Sequence, residues 1–416
     1  MIGLRSTLLV ILAASTTDST ARSSAEISLR DRVFIATQIY HQVATFYPEL
    51  SQKQFDQDYR EYLAGILNAS ADRKAFDLAS MELVASLHDS HTWFYDDWLA
   101  MNYGQPLGFT AYRFDEQWVV VQSWRSSLRV GDVIKAVDGI PTQRYFEERQ
   151  KYISASSRRD AGTSFFHTPV LFPERFTLGL DGNREVVVDR KHEVTQRPPV
   201  KTEGRWLAEG LVGYIKLPMF RGIETQVAAL DFLKQYRGAR TVILDIRGNP
   251  GAGDPSLLQR ALMDRSYPLW TEHSAVHGGF LLRAYDIAYP EKSDVTTREA
   301  TVRLHDQPAF TGRLILLIDR GCTCACEDFA MPFKVSKRAQ LIGETTAGSF
   351  SFTNSTDFEN GMRLNIASVR HTFPDGSRFE GVGITPDIEI HPTAKDFKQG
   401  KDPVLDRALE VAISER

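Results

Sequence analysis

Cys322, Cys324 and Cys326 are the only cysteines in the chain, and they alternate through one short run, Cys-Thr-Cys-Ala-Cys-Glu. A thiol can serve as nucleophile, disulfide partner or metal ligand, and its surroundings select among these. An apolar run, residues 314–318, precedes the cysteines and reads as a buried strand. Asp319, Arg320 and Gly321 form a tight segment, and residues 327–336 read as a helix. A strand, a sharp turn and a helix put the turn at a helix N-terminus. Unpaired backbone N–H groups lie there and the dipole favours negative charge. A nucleophile and the donors for an oxyanion can therefore sit together. A metal site is the weaker reading: structural zinc takes cysteine pairs with a second ligand pair elsewhere, and no further Cys or His lies nearby in sequence. No metal and no cofactor are expected.

The elements that must position this turn fall into three stretches. Over residues 28–102, Leu29, Val33, Ala36, Val43 and Phe46, then Phe55, Tyr59, Tyr62 and Leu63, recur at helical spacing. This predicts an N-terminal domain of two or three packed helices, the first stopped by Pro48. Residues 103–195 read as a small β-rich module. Within it, Gly131-Asp132-Val133-Ile134 through Val137-Asp138-Gly139 resembles the G-D-x-I-x-x-V-x-G signature of PDZ domains. Phe176 to Leu180 and Glu185 to Val188 supply two more strands, and a linker is expected over 195–201. From 202 to 416 strands alternate with helices, which predicts an α/β core. The expected fold is therefore a multidomain α/β chain: helical cap, PDZ-like module, α/β core.

Composition bounds the rest. At 416 residues, with 42% hydrophobic and 25% charged residues, the chain has ample material for a core. A net charge of −4 gives no reason to expect nucleic acid or an acidic membrane surface as partner. Within residues 1–25 one basic residue, Arg5, precedes a short apolar run, and small and polar residues follow, as in a signal peptide. That run is too short to span a bilayer, and no stable membrane span is expected. The expected location is exported, periplasmic or secreted.

Four motifs, taken together, resemble the S41 family of serine peptidases, the tail-specific or C-terminal processing group. The family pattern T-x-S-A-x-E matches Cys322-Thr323-Cys324-Ala325-Cys326-Glu327, with the nucleophilic serine falling on Cys324 and an oxyanion-hole alanine on Ala325. Its R-A-x-x-x-G-E-x-T-x-G run matches Arg338-Ala339 and residues 343–348. The L-D-L-R-x-N-x-G-G run matches residues 244–252, placing the other oxyanion glycine on Gly251, with Ala252 where a second glycine stands in the family. The turn G-x-G-I-x-P-D matches residues 381–387. Some branches carry a catalytic lysine just after the last glycine of the second motif, which here is Ser349. The chain is thus similar to the branch without that lysine, which includes nisin-resistance-type and interphotoreceptor-retinoid-binding-like members. There a histidine near the N-terminus is the base, and it falls on His91 in Leu87-His88-Asp89-Ser90-His91-Thr92.

The resemblance implies acyl transfer. Cys324 attacks a peptide carbonyl, His91 takes the proton, and the amides of Gly251 and Ala325 hold the oxyanion. His88 is the second candidate base. Asp89 and Glu344 are candidates to orient the ring, and Gly348 and Ser349 to contact substrate. An imidazole and a helix N-terminus both lower a thiol pKa, so a reactive thiol is expected. The partner is a peptide or protein substrate, an unfolded or C-terminal segment. The alternative is an inactive relative that binds a peptide or apolar ligand in the same cleft, since the family includes retinoid carriers. Export adds one constraint: in an oxidising compartment, spacing disfavours Cys322–Cys324, permits Cys322–Cys326 with Cys324 left free, and local geometry decides.

Overall fold

The computed structural model describes residues 24–192, 199–274, 287–288, 297–304 and 307–414. The expected signal peptide therefore lies almost wholly outside the described residues, and the expected linker lies partly outside them. No helix among the described residues is long and apolar enough to cross a membrane.

The chain begins with helices α1 (Leu29–Phe46), α2 (Gln52–Asn68) and α3 (Arg73–Ala85). Ser28 caps α1 by accepting from the Asp31 N–H, and Asp72 caps α3 by accepting from Lys74 and Ala75. Of the stripes read from sequence, Ala36, Val43, Phe55 and Tyr62 are buried in one cluster with Ile35, Ile39 and Leu83, whereas Leu29 and Val33 are exposed: the buried face of α1 is rotated toward Ile35 and Ile39. Strand β1 (Trp93–Asp96) and a short helix α4 (Asp97–Tyr103) complete this part.

An antiparallel sheet follows, built from β2 (Phe109–Phe114), β3 (Gln117–Ser123), β4 (Val133–Val137), β5 (Ile140–Pro141), β6 (Arg175–Leu180) and β7 (Glu185–Asp189). Its order is β2-β3-β4-β6-β7, with β5 paired to β4. Helices α5 (Thr142–Glu147) and α6 (Arg158–Ser164) lie between β5 and β6 in sequence. Trp118, Phe146, Phe165 and Phe172 fill its core.

The last part contains β8 (Glu203–Ala208), β9 (Val212–Lys216), α7 (Glu224–Gln235), β10 (Thr241–Asp245), α8 (Ser256–Leu262), β11 (Arg313–Ile318), α9 (Ala325–Ser336) and β12 (Ala339–Gly343). Then come β13 (Thr353–Asp357), β14 (Met362–Ala367), β15 (Ile388–Glu389) and α10 (Pro403–Ile413). The central sheet has the order β15-β12-β11-β10-β9-β8. Neighbours from β15 to β9 are parallel, and β8 is an antiparallel edge. The apolar run expected as a buried strand is the middle of this sheet: residues 314–318 are all buried. Both faces are covered, as a parallel sheet requires. Phe329, Phe333 and Leu258 pack on one side, and Val404 and Ala408 of α10 on the other.

One pairing links the two ends of the chain. β1 runs antiparallel to β14, with Trp93 opposite Asn365, and β14 pairs in turn with β13. Leu364 and Ile366 of β14 enter the apolar cluster of the N-terminal helices. The helical part is thereby tied to the core, and the turn just before β1 is fixed against it.

Candidate active site

Cys324 sits where β11 leaves the sheet at its carboxyl end, in the crevice where open α/β sheets hold their ligands. It is the N-cap of α9, with φ 56° and ψ −123°. A non-glycine residue at positive φ costs about 1–3 kcal/mol and persists only when its surroundings enforce it. Those surroundings are visible. Cys322 and Cys326 form a disulfide that brackets Cys324, with Cα atoms 5.4 Å apart, and Cys324 remains a free thiol. The Cys324 N–H donates to the Ser349 carbonyl at 2.7 Å, and its own carbonyl accepts from Glu327 and Asp328 at 2.9 and 3.0 Å.

The second wall is the loop after β10. Asp245, buried beneath the sheet edge, takes a bidentate grip from Arg247, which also holds Asp402 at the start of α10. Buried Asn249 donates to the Leu217 carbonyl at 3.0 Å and accepts the Thr323 N–H on its own carbonyl at 3.2 Å. Gly251, at φ 80°, lets this loop touch the cysteine turn: a Cβ there would stand 2.5 Å from the Ala325 nitrogen and 3.0 Å from the Cys324 Cβ.

The donors around the thiol differ in one respect from the sequence expectation. The Ala325 N–H acts on the Cys324 thiol and lowers its pKa. Gly251 instead donates its N–H to Asn249 Oδ1 at 2.8 Å, and in this loop it is the Ala252 amide that lowers the thiol pKa. Ala252 itself takes a positive φ of 64°. No side-chain signal marks such a donor, because it depends on backbone direction alone.

His91 lies in the turn before β1, two residues from the Trp93–Asn365 pair. Asn365 donates to the His91 carbonyl at 2.6 Å, and Thr92 Oγ1 accepts from the Ala367 N–H at 3.0 Å. The ring reaches Ser349: Nδ1 and Ser349 Oγ are 3.5 Å apart. Ser349 thus touches both candidates, its hydroxyl against His91 and its carbonyl on the Cys324 amide. Among the described residues no hydrogen bond joins the imidazole to the thiol, and Nε2 has no protein partner. His88 is exposed and points elsewhere, beside Tyr47 and Leu87.

Burial dominates the electrostatics. It pushes the Cys324 thiol up to about 11, with Glu327 and Asp328 adding to the rise and the Ala325 and Ala252 amides opposing it. The lowered thiol expected from sequence is therefore not found: the dipole and amides are outweighed by desolvation, and no imidazolium is in contact. Burial likewise pushes His91 down to about 4, so the ring is neutral near pH 7.

The remaining sequence candidates take supporting positions. Asp89, raised to about 6 by burial, accepts the His91 backbone N–H at 2.8 Å and so shapes the turn, not the ring. Glu344 is turned away from His91 and pairs with Arg320 and with His391 Nδ1. Gly348 faces inward: a Cβ there would stand 2.6 Å from the Gly383 nitrogen, and its N–H donates to Glu327 at 2.7 Å. Glu327, pushed up to about 8 by burial, also accepts from Thr346 Oγ1 and from the Ser349 N–H at 2.8 Å. It holds the whole 346–349 loop behind the thiol. Sequence reading singled out neither this role nor Glu380, whose carboxyl burial and Asp89 push well up and which bonds Ser156. Glu380 adjoins the 381–387 turn that sequence reading treated as structural.

Residues 211–390 match the family model described as Peptidase family S41. The "Probable CtpA-like serine protease" of Staphylococcus haemolyticus is 24% identical over 186 residues, covering 42% of this chain and 34% of that protein. The "C-terminal processing peptidase, chloroplastic" of Tetradesmus obliquus is 26% identical over 271 residues, covering 64% of this chain and 54% of that one. The chain thus spans about half the length, or less, of these relatives. Among solved structures, mature CPAF complexed with lactacystin superposes with a TM-score of 0.67 at 15% identity, over 92% of this chain and 97% of that one. The photosystem II D1 C-terminal processing protease gives a TM-score of 0.52 at 20% identity, over 88% and 94%. These two likenesses are of fold.

Proposed function

We propose that this chain, which belongs to the S41 peptidase family through its residues 211–390, hydrolyses peptide bonds by acyl transfer to Cys324. The observation that carries the proposal is the cradle at Cys324: a positive-φ N-cap thiol bracketed by a disulfide, with the Gly251 backbone packed against the Ala325 nitrogen and the Cys324 Cβ, and the Ala325 and Ala252 amides lowering the thiol pKa. The same two amides are placed to receive the oxyanion once sulfur has bonded to carbon. In this reading Ala252 takes the part that the resemblance gives to Gly251.

His91 is the base, working as a neutral partner. With Nδ1 toward Ser349 Oγ, Nε2 carries the lone pair that accepts the thiol proton as Sγ attacks. The imidazolium then protonates the leaving amine, and water hydrolyses the thioester by the reverse route. Asp89 and Glu327 position the two loops that carry His91 and Ser349.

The substrate is a flexible polypeptide segment, with a chain's C-terminal region as the preferred target by analogy with the named relatives. The antiparallel sheet is read as a PDZ-like module whose edge strand β2 faces the site. Tyr112 on β2 stands beside Gly248 and Gly321, next to the catalytic loops. Export fits the Cys322–Cys326 disulfide, which forms and persists in oxidising compartments.

A second reading has its own support. The raised thiol and the missing thiol–imidazole hydrogen bond suit a relative that binds a peptide or apolar ligand without cleaving it. Incubation with an unfolded protein, with new termini read by mass spectrometry, separates the two. Cleavage lost in both Cys324→Ala and His91→Ala supports the peptidase. Binding without cleavage across about pH 5–10 overturns it.

A further inference from the structure

A second cavity, of about 360 Å³, opens between the N-terminal helices and the antiparallel sheet. It is lined from one side by Lys74 of α3 and Tyr103 of α4, and from the other by Tyr145 of α5, Arg149, Phe172 and Arg190. Its size is at the lower end of small-ligand pockets.

The charge of this cavity is unbalanced. Lys74 Nζ has no hydrogen bond and no ion pair among the described residues. It lies 3.7 Å from the centre of the Tyr103 ring, and burial pulls its pKa down. Asp72, the nearest acid in sequence, caps α3, and its charge only partly offsets that fall without bonding the ammonium. Arg190 is buried and satisfied entirely by oxygens without charge: the carbonyls of Tyr103, Gln105, Pro169, Phe172 and Pro173, and the Gln105 side chain. No carboxylate is bonded to it, and Glu174 offsets its charge only through space. Arg149 lies 3.5 Å over the Tyr145 ring and shares one N–H with Glu148 at 3.3 Å. Glu174 is the one acid in the lining.

We propose that this cavity binds a monocarboxylate with a flat or branched apolar body, its carboxylate on Lys74 and its body between Tyr103, Tyr145 and Phe172. One free ammonium suits one carboxylate, and Glu174 opposes a dianion. A desolvated ammonium gains most from an oxygen that replaces its lost hydration. Because the two walls belong to different parts of the fold, the ligand would bridge the helical part and the sheet. The site is independent of Cys324 and of the peptidase reading.

The test uses the Cys324→Ala chain, so that nothing is turned over, in calorimetric titration. N-acetylphenylalanine is compared with its amide, and N-acetyl-Ala-Ala-Phe with both. The acid is expected to bind, and the amide at least about tenfold more weakly. Lys74→Met is expected to weaken the acid about ten- to hundredfold, and Lys74→Arg to restore most of it. A tighter tripeptide assigns the ligand to a chain terminus, and equal affinities assign it to a free small carboxylate. Either result supports the site. No binding of either acid, equal binding of acid and amide, or binding unchanged by Lys74→Met overturns it. The acid–amide comparison stands without any substitution at Lys74 should that variant fold poorly.

Discussion

Alkylation of Cys324 by iodoacetamide should be slow at neutral pH and climb steadily into the alkaline range. Burial holds this thiol near a pKa of 11. At pH 8 that leaves roughly one part in a thousand as thiolate, against roughly a quarter for an ordinary cysteine near 8.5. The population term alone slows the reaction about 250-fold. A more basic thiolate is intrinsically more nucleophilic, by a Brønsted slope of about 0.4–0.5, which returns a factor of roughly 10–18. The net expectation is labelling roughly twentyfold slower than a free cysteine at pH 8. One further consequence follows from the absence of a thiol–imidazole hydrogen bond: His91→Ala should leave the rate–pH curve unchanged, although it should abolish turnover. The assay is quantitative mass spectrometry of the peptide containing Cys324, without reductant so that Cys322–Cys326 stays closed. An inflection below about pH 8 that disappears in His91→Ala would refute the reasoning, because it would reveal a preformed thiolate–imidazolium pair.

Three other outcomes are expected. Gly251→Ala should displace the loop after β10, since its Cβ would meet the Ala325 nitrogen at 2.5 Å and its φ is 80°. A loss of about 10²–10³ in kcat, with KM little changed and the circular dichroism spectrum retained, would match a misplaced oxyanion donor. Arg247→Met strands the buried Asp245 carboxylate with Tyr214 as its remaining side-chain partner. Urea unfolding should register a loss of about 3–5 kcal/mol. Asp77 is buried with both carboxyl oxygens unpartnered, and burial together with Asp96 raises it to about 9 from an ordinary 3.8. The native state thus keeps a proton that the unfolded chain releases. The stability this group contributes is complete below 3.8 and is lost as pH rises through about 9. Asp77→Asn should flatten that decline in denaturation midpoints measured across the window.

Much of the architecture was legible because it rests on periodicity. The stripe through Ala36, Val43, Phe55 and Tyr62 reports burial, although Leu29 and Val33 at its start are exposed, and the short apolar run over residues 314–318 is an interior strand as read. The strand–turn–helix around Cys324 follows from Gly321 and the helix after it. Contacts across the chain left no such trace. Ser349 meets His91 over a sequence separation of 258 residues, and β1 pairs with β14, through geometry that no local pattern encodes. The donor at Ala252 depends on the path of the backbone through residues 250–252, where Gly251 and Ala252 both take positive φ, and no side chain signals it. The thiol pKa was misjudged for a related reason. Helix N-terminus and histidine are visible in sequence, whereas the depth of burial that overrides them is a property of the packed loops 246–253 and 346–349.

The most direct test of Cys324 as nucleophile is to trap the acyl intermediate. The chain is mixed with an activated peptide ester, quenched in acid, and digested for mass spectrometry. The account expects the acyl mass on the Cys324 peptide, its decay in step with product release, and neither in Cys324→Ala. Turnover that persists in Cys324→Ala, or an intact chain that never acquires the acyl group, would contradict it.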